Sequence, residues 1–177
     1  MDGILGNEGS TQSKLISFFE KELGYKFIGN LSDKANTNVR NEELLNFLTH
    51  KMGYSDILGK KAIEELVKAT QNLQSGLYNA NKEVYNLLKY GAKVKETVEA
   101  AEKTVYFIDF NTVGNNHFSV AEEVTIVETN TKRPDLVVYV NGIAIAVIEL
   151  KRSAVSVEEG IRQNLTNQRE MFIEGFF

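Results

Sequence analysis

Apolar residues recur at helical spacing through the first half of the chain. Leu15, Ile16, Phe19 and Leu23, with Phe18 beside them, predict a helix over 11–23 that Gly24 stops. A short extended piece at Tyr25–Ile28 and a polar loop from Gly29 to Asn38 follow. Leu44, Leu45, Phe47 and Leu48 predict a second helix over 40–52, before Gly53. A third is expected over 55–74 with Ser55 as its N-cap, and a fourth over 79–90, carrying Val84, Leu87 and Leu88 and ending at Gly91.

The second half changes period. Residues 92–98 and 104–110 are β-branched and aromatic and read as strands. Phe118, Val120, Val124 and Ile126 alternate along 118–128, and Glu122 falls on their face. Leu136–Val140, Asn141-Gly142 and Ile143–Leu150 read as strand, turn, strand. The two strands are apolar at nearly every position, which predicts places in the middle of a sheet covered on both faces. Ser156, with Glu159 three residues on, opens a last helix over 157–174. The expected fold class is α/β or α+β, a mixed central sheet flanked by helices. One domain is expected over 1–177, with a mainly helical part at 1–91 and a strand-rich core at 92–177.

Composition narrows the chemistry. The chain has 177 residues, no Cys and two His, His50 and His117. Thiolate zinc sites, disulfides and Cys nucleophiles are therefore excluded, and a His-rich metal site is disfavoured. No apolar run reaches the roughly 18–20 residues that span a bilayer, and the N-terminus lacks a secretory pattern. No membrane association and a cytoplasmic location are the expectation. The formal charge of −4 argues against a nucleic-acid binder overall. Its distribution argues otherwise. Residues 1–130 hold 14 basic and 18 acidic side chains, whereas 131–169 hold 6 basic and 4 acidic ones.

That locally basic stretch carries the informative run, RPDLVVYVNGIAIAVIELKR at 133–152. Three charges, Asp135, Glu149 and Lys151, stand at the ends of apolar strands, where they are costly unless paired or used. Glu149 and Lys151 share a strand face, and Leu150 points away. Where Asp135 lies depends on hairpin register. A strict two-residue turn pairs Val140 with Ile143 and sets Asp135 opposite Ile148. One more residue in the turn, with Gly142 left-handed and bulged, pairs Val140 with Ala144 and sets Asp135 opposite Glu149. All-apolar strands do not decide between them. The bulged register is the one expected here, because only it brings both carboxylates to one point. Two carboxylates so close call for a cation, and oxygen donors suit Mg²⁺ or Mn²⁺. The carbonyl of Leu150 is a further ligand, and Lys151 stands ready to orient a water or stabilise a phosphorane. As a bare ion cluster the same three residues would only cap the hairpin.

Pro134-Asp135 followed by Glu149-x-Lys151 resembles the PD-(D/E)xK nuclease motif. The whole run RPDLVVYVNGIAIAVIELK resembles the N-terminal endonuclease region of the restriction (R) subunit of type I restriction–modification enzymes. FIDFNTVGNNHFSVAEEVTIVE before it, and the helix with Gln163 after it, carry the likeness over most of 75–177, and more loosely over 10–60. The resemblance implies a restriction-endonuclease-like core and hydrolysis of double-stranded DNA with Mg²⁺. Asp135 and Glu149, with Leu150, would hold the metal. Lys151 would be the catalytic lysine and Gln163 the glutamine of a QxxxY motif. Asn167 stands where that motif has its tyrosine, and Gln12 stands near the position of a first-helix acid, for which Glu122 is a substitute. The methylation and specificity subunits would be the partners. ATP would be used by the full-length protein and not here, since no GxxxxGK[ST] loop occurs.

The alternatives are a catalytically silent DNA-contact or subunit-docking domain of the same fold, and a stand-alone repair nuclease. The apolar end MFIEGFF leads to the expectation of an N-terminal fragment of a longer chain. Arg133 stands either to pair with a carboxylate or to contact a phosphate. His117 reads as structural or solvated, His50 as a partner of its helix C-terminus, and the Lys and Glu residues of 60–103 as a solvated face.

Overall fold

The structure, a computed structural model, describes residues 8–33, 35–72, 74, 76–127 and 131–150, with Glu158, Ile161, Arg162 and Leu165 beyond them. In chain order the elements are α1 (Glu8–Lys21), β1 (Lys26–Asn30), α2 (Asn41–Asn46), α3 (Asp56–Thr70), α4 (Leu77–Tyr90), β2 (Ala92–Val94), β3 (Lys103–Val105), β4 (Phe118–Glu122), β5 (Ile126–Val127), β6 (Thr131–Lys132), β7 (Leu136–Val140) and β8 (Ile143–Ile148). The central sheet has the order β1-β4-β7-β8, with β1 parallel to β4. A mixed four-stranded sheet with four helices is the α/β class that the pattern predicts. Four of the residues expected in a last helix, Glu158, Ile161, Arg162 and Leu165, are helical. The rest of that helix lies outside the described residues.

Contacts divide the chain into two compact units. The first comprises 1–37, 118–139 and 144–176. Here α1 lays Ile16 onto Val120, Leu136 and Val138, with Leu15, Phe19, Tyr25, Phe27 and Ile148 around them. This is the apolar stripe of 15–19 meeting one face of a sheet. Phe19, Tyr25 and Phe118 form a chain of tilted rings with centroids 5.1 and 5.2 Å apart. β4 stops at Glu122 because Glu123 turns left-handed, at φ 52°. The expected long strand over 118–128 is therefore broken in two, and its second part, β5, pairs antiparallel with β6. Asn36 ties down the loop after β1, its Nδ2 donating to the carbonyls of Leu31 and Thr125 at 3.0 and 3.1 Å.

The second unit comprises 38–117 and the hairpin tip 140–143. Leu44, Phe47, Leu48, Leu58, Ala62 and Leu66 form its core with Val94, Val105 and Phe107. Ser55 caps α3, accepting from the N–H of Leu58 at 3.3 Å. Gly59 lets α2 and α3 close up, since a β-carbon there would lie 2.8 Å from Leu45 Cδ1. Past α2 the helix widens into one π turn, Phe47–Lys51. The strands expected over 92–98 and 104–110 shrink to the antiparallel ribbon β2–β3.

One expectation fails in the sheet. β7 is buried at all five positions, as an all-apolar strand in mid-sheet should be. β8 is equally apolar yet lies at the edge among the described strands, and Ile145 and Ala146 are exposed. Apolarity fixed the strand but not its place.

The hairpin tip is held by polar atoms. Asn141 is 1 % exposed. Its Oδ1 accepts the N–H of His117 at 2.7 Å, and its Nδ2 donates to the carbonyl of Phe107 and to Asn116 Oδ1, both at 2.9 Å. Its own N–H donates to the His117 carbonyl at 2.8 Å. Asn116 Nδ2 in turn donates to the carbonyls of Asp109 and Val113. Asn141→Ala removes three side-chain bonds, two of them buried, and puts a methyl residue at φ 52°. It should cost about 2–4 kcal/mol in denaturant unfolding. Asn141→Gly should be milder than Asn141→Ala by roughly 1 kcal/mol, since glycine bears that backbone without strain.

Asp109 organises the same loop. Its carboxylate accepts the N–H of Thr112 at 2.8 Å, Asn115 Nδ2 at 2.8 Å and the N–H of Asn111 at 3.0 Å. The Thr112 bond first, then Asn115, hold its pKa below the usual 3.8. A lowered folded value means stability present above the unfolded pKa and lost as pH falls through the folded one. The stability gap between the wild type and Asp109→Asn should therefore be full at pH 7. It should shrink below about pH 4, as read by thermal melts across pH.

Candidate functional site

Asp135 opens β7 and Glu149 follows β8, so both stand at one end of the β7–β8 hairpin. The turn at the other end is not the expected one. Asn141 and Gly142 are both left-handed, with φ 52° and 83°. That is the two-residue type I′ turn, which keeps Val140 opposite Ile143. The three bonds to the Asn141 side chain explain why this residue, and not glycine alone, is left-handed.

Ile148, the last residue of β8, packs against the cluster of Ile16, Val120, Leu136 and Val138. The turn is thus two residues long and not the longer, bulged turn expected above.

The far end is tied by Asp135. Its Oδ2 accepts the N–H of Leu150 at 2.5 Å, which fixes the carboxylate against the residue after Glu149. Its carbonyl accepts the N–H of Glu123 at 3.0 Å, joining β7 to the end of β4. Glu149 and Leu150 are half-buried, and Glu149 has an interaction partner of its own. Lys151 and Gln163 lie outside the described residues, as does Asn167. Asp135, Glu149 and the Leu150 carbonyl are hard oxygen donors of the kind Mg²⁺ takes with retained waters.

Glu122 is drawn elsewhere. Its Oε2 accepts Gln12 Nε2 at 3.0 Å and its Oε1 accepts Asn30 Nδ2 at 3.4 Å. A carboxylate on the α1 side of β4 thus links α1, β1 and β4 through two amides. Among the described residues no three His, Asp or Glu side chains gather as a metal-binding group. Arg133, whose role the sequence left open, pairs with a carboxylate: its Nε is 2.8 Å from Glu123 Oε2. His117 is structural through its backbone, and its ring meets Phe47 edge-on at 6.1 Å. His50 Nδ1 lies 3.2 Å from the Asn46 carbonyl in the π turn.

Sequence reasoning missed Asn141 and Gln12 as fixing residues. The Asn-Gly dipeptide signalled a turn, but not that its amide would be buried. The Gln12–Glu122 bond spans 110 positions and has no local signal.

Comparison with known proteins bears on this site. The family model for the type I restriction enzyme R protein N terminus matches residues 6–177. A Methanocaldococcus jannaschii protein, named for the type I restriction enzyme MjaIXP endonuclease subunit, is 28 % identical over 116 residues, 60 % of this chain and 11 % of that protein. The type I restriction enzyme HindI endonuclease subunit of Haemophilus influenzae is 34 % identical over 99 residues, 53 % of this chain and 9 % of that protein. The chain thus spans about a tenth of the length of the curated relatives it matches. No helix among the described residues is long and apolar enough to cross a membrane. With nearly its whole length matched, the chain belongs to the family of type I restriction enzyme R protein N-terminal regions.

Proposed function

We propose that the chain is a Mg²⁺-dependent endonuclease domain of PD-(D/E)xK type, hydrolysing phosphodiester bonds of double-stranded DNA. The observation that carries the reading is the hairpin end, where Asp135 and Glu149 stand at the same end of β7 and β8 and the Leu150 N–H is bound to the Asp135 carboxylate. Asp135, Glu149 and the Leu150 carbonyl hold the metal, and Mg²⁺, when bound, supplies Lewis acidity toward water and phosphate. The chain's own groups do the rest. Lys151 follows Glu149 by two residues and offers an ammonium to the developing charge on phosphorus. Gln163 would add an amide donor, by its match to the family's glutamine. Names of the relatives support an endonuclease role. In a type I complex the partners are the methylation and specificity subunits, and ATP is consumed by the remainder of the full-length protein.

The hydrogen bond to Leu150 also supplies a control. Asp135→Asn keeps an oxygen acceptor for that N–H while removing the charge that a cation needs. Expected outcomes are Mg²⁺-dependent nicking of supercoiled plasmid by the wild type, and a loss of at least about 100-fold in Asp135→Asn and in Lys151→Ala. Unchanged melting temperatures would show that the fold survives. Folded protein that binds no Mg²⁺ by calorimetry and cuts nothing would overturn the reading in favour of the silent domain.

A further inference from the structure

The outer face of α4 carries a row of aromatic rings and ammonium groups that packing does not explain. Tyr78, Lys82, Tyr85 and Lys89 recur at four-, three- and four-residue spacing, which sets them within one narrow stripe of the helix. The inward face is separate, with Ala80 buried and Val84, Leu87 and Leu88 half-buried. Tyr78 is 77 % exposed, Tyr85 56 % and Tyr90 60 %. Large rings so exposed, three on one helix, are a costly way to finish a surface.

Lysine and tyrosine are also linked. The Lys89 ammonium lies 5.5 Å from the Tyr85 ring centre and 5.2 Å from that of Tyr90. Hydrogen bonding to Tyr85, then to Tyr90, raises the Lys89 pKa above 10.5 and keeps the cation charged. Just past the helix C-terminus Tyr106 comes close to the chain, since a β-carbon on Gly91 would lie 3.2 Å from Tyr106 Cδ1. Tyr106 is itself 43 % exposed. The one carboxylate of α4, Glu83, lies off the stripe and accepts from Asn72 Nδ2 at 3.3 Å. Asn81 and Asn86 flank the stripe and are exposed.

We infer that this face of α4 binds single-stranded DNA, the lysines meeting phosphates and the tyrosine rings stacking on unpaired bases. Charge complementarity selects a polyanion, since the stripe has two cations and no acid. The rings select one whose π-faces are free, which a duplex hides and a single strand presents. An acidic protein surface would satisfy the lysines and leave the rings unused. The inference goes beyond the nuclease reading and does not need the metal, because α4 shares no residue with the Asp135–Glu149 site.

The test is fluorescence anisotropy of a labelled oligo-thymidine with the full chain in EDTA, where no cleavage occurs. The wild type should bind, and quenching of intrinsic tyrosine emission should follow, as the chain has no Trp. Tyr78→Ala with Tyr85→Ala should weaken binding by roughly 10-fold or more, whereas the two Tyr→Phe changes should keep most of it. Lys82→Gln with Lys89→Gln should lower the log–log salt slope by about 1.4. All four positions are exposed, so folding is checked by melting temperature alone. Equal affinity of the double alanine variant would overturn the inference. So would competition by poly-glutamate as effective as by the oligonucleotide, which points to an acidic protein partner. Binding without Mg²⁺-dependent nicking would sink the nuclease proposal and leave this one standing.

Discussion

Two all-apolar strands cannot choose their own register. With alternating strands, a slip of one residue exposes apolar side chains and buries polar ones, and the cost selects the pairing. β7 and β8 carry little such penalty, so their pairing depends on polar contacts at the two ends. At the tip Asn141 is held left-handed by partners in the 107–117 segment. At the open end the Asp135 carboxylate holds the Leu150 N–H. The residues proposed for chemistry thus also complete the hairpin, which is why removing charge and removing the acceptor are different experiments.

The polar clamps lie where the apolar packing ends. Leu136 and Val138 are anchored by Ile16 and Val120, and Ile148 is the last strand residue to join them. Asn141 is the counterpart at the tip, where Val140 and Ile143 are the adjoining buried residues. A buried amide with all its groups satisfied specifies one conformation in a way that another aliphatic residue would not.

Much of this was legible in the sequence and some was not, for physical reasons. The four helices were readable because each has its own apolar stripe and a local stop, such as Gly24 or Gly91. β7 was readable as a buried strand, and β8 as a strand. The edge position of β8 was not, because identical apolar runs serve either place and the neighbour is chosen by topology. Glu123 was invisible, as nothing about a glutamate announces a left-handed backbone. The candidate site was legible as a set of residue types at strand ends, Asp135, Glu149 and Lys151. Its register was legible only as a pair of alternatives. The turn type was misread because nothing local announces the partners that hold Asn141 left-handed.

The acidity of the chain is also less than it looks. A surplus of carboxylates matters to a polyanion only where the carboxylates face it. Glu122 is wrapped by two amides, Glu123 is matched by Arg133, Glu43 by Arg40 at 2.6 Å, and Asp56 by Lys60 at 2.8 Å. Asp109 is spent on backbone N–H groups of its own loop. Several acids are thus neutralised close to home. Lys89 of the α4 stripe lies over two tyrosine rings, and the stripe itself carries no acid. Within a Debye length of about 8–10 Å, local charge and not net charge sets what a phosphate meets. A formal charge of −4 is therefore compatible with a DNA-facing protein, provided its cations are the charges left facing solvent where the strand lies.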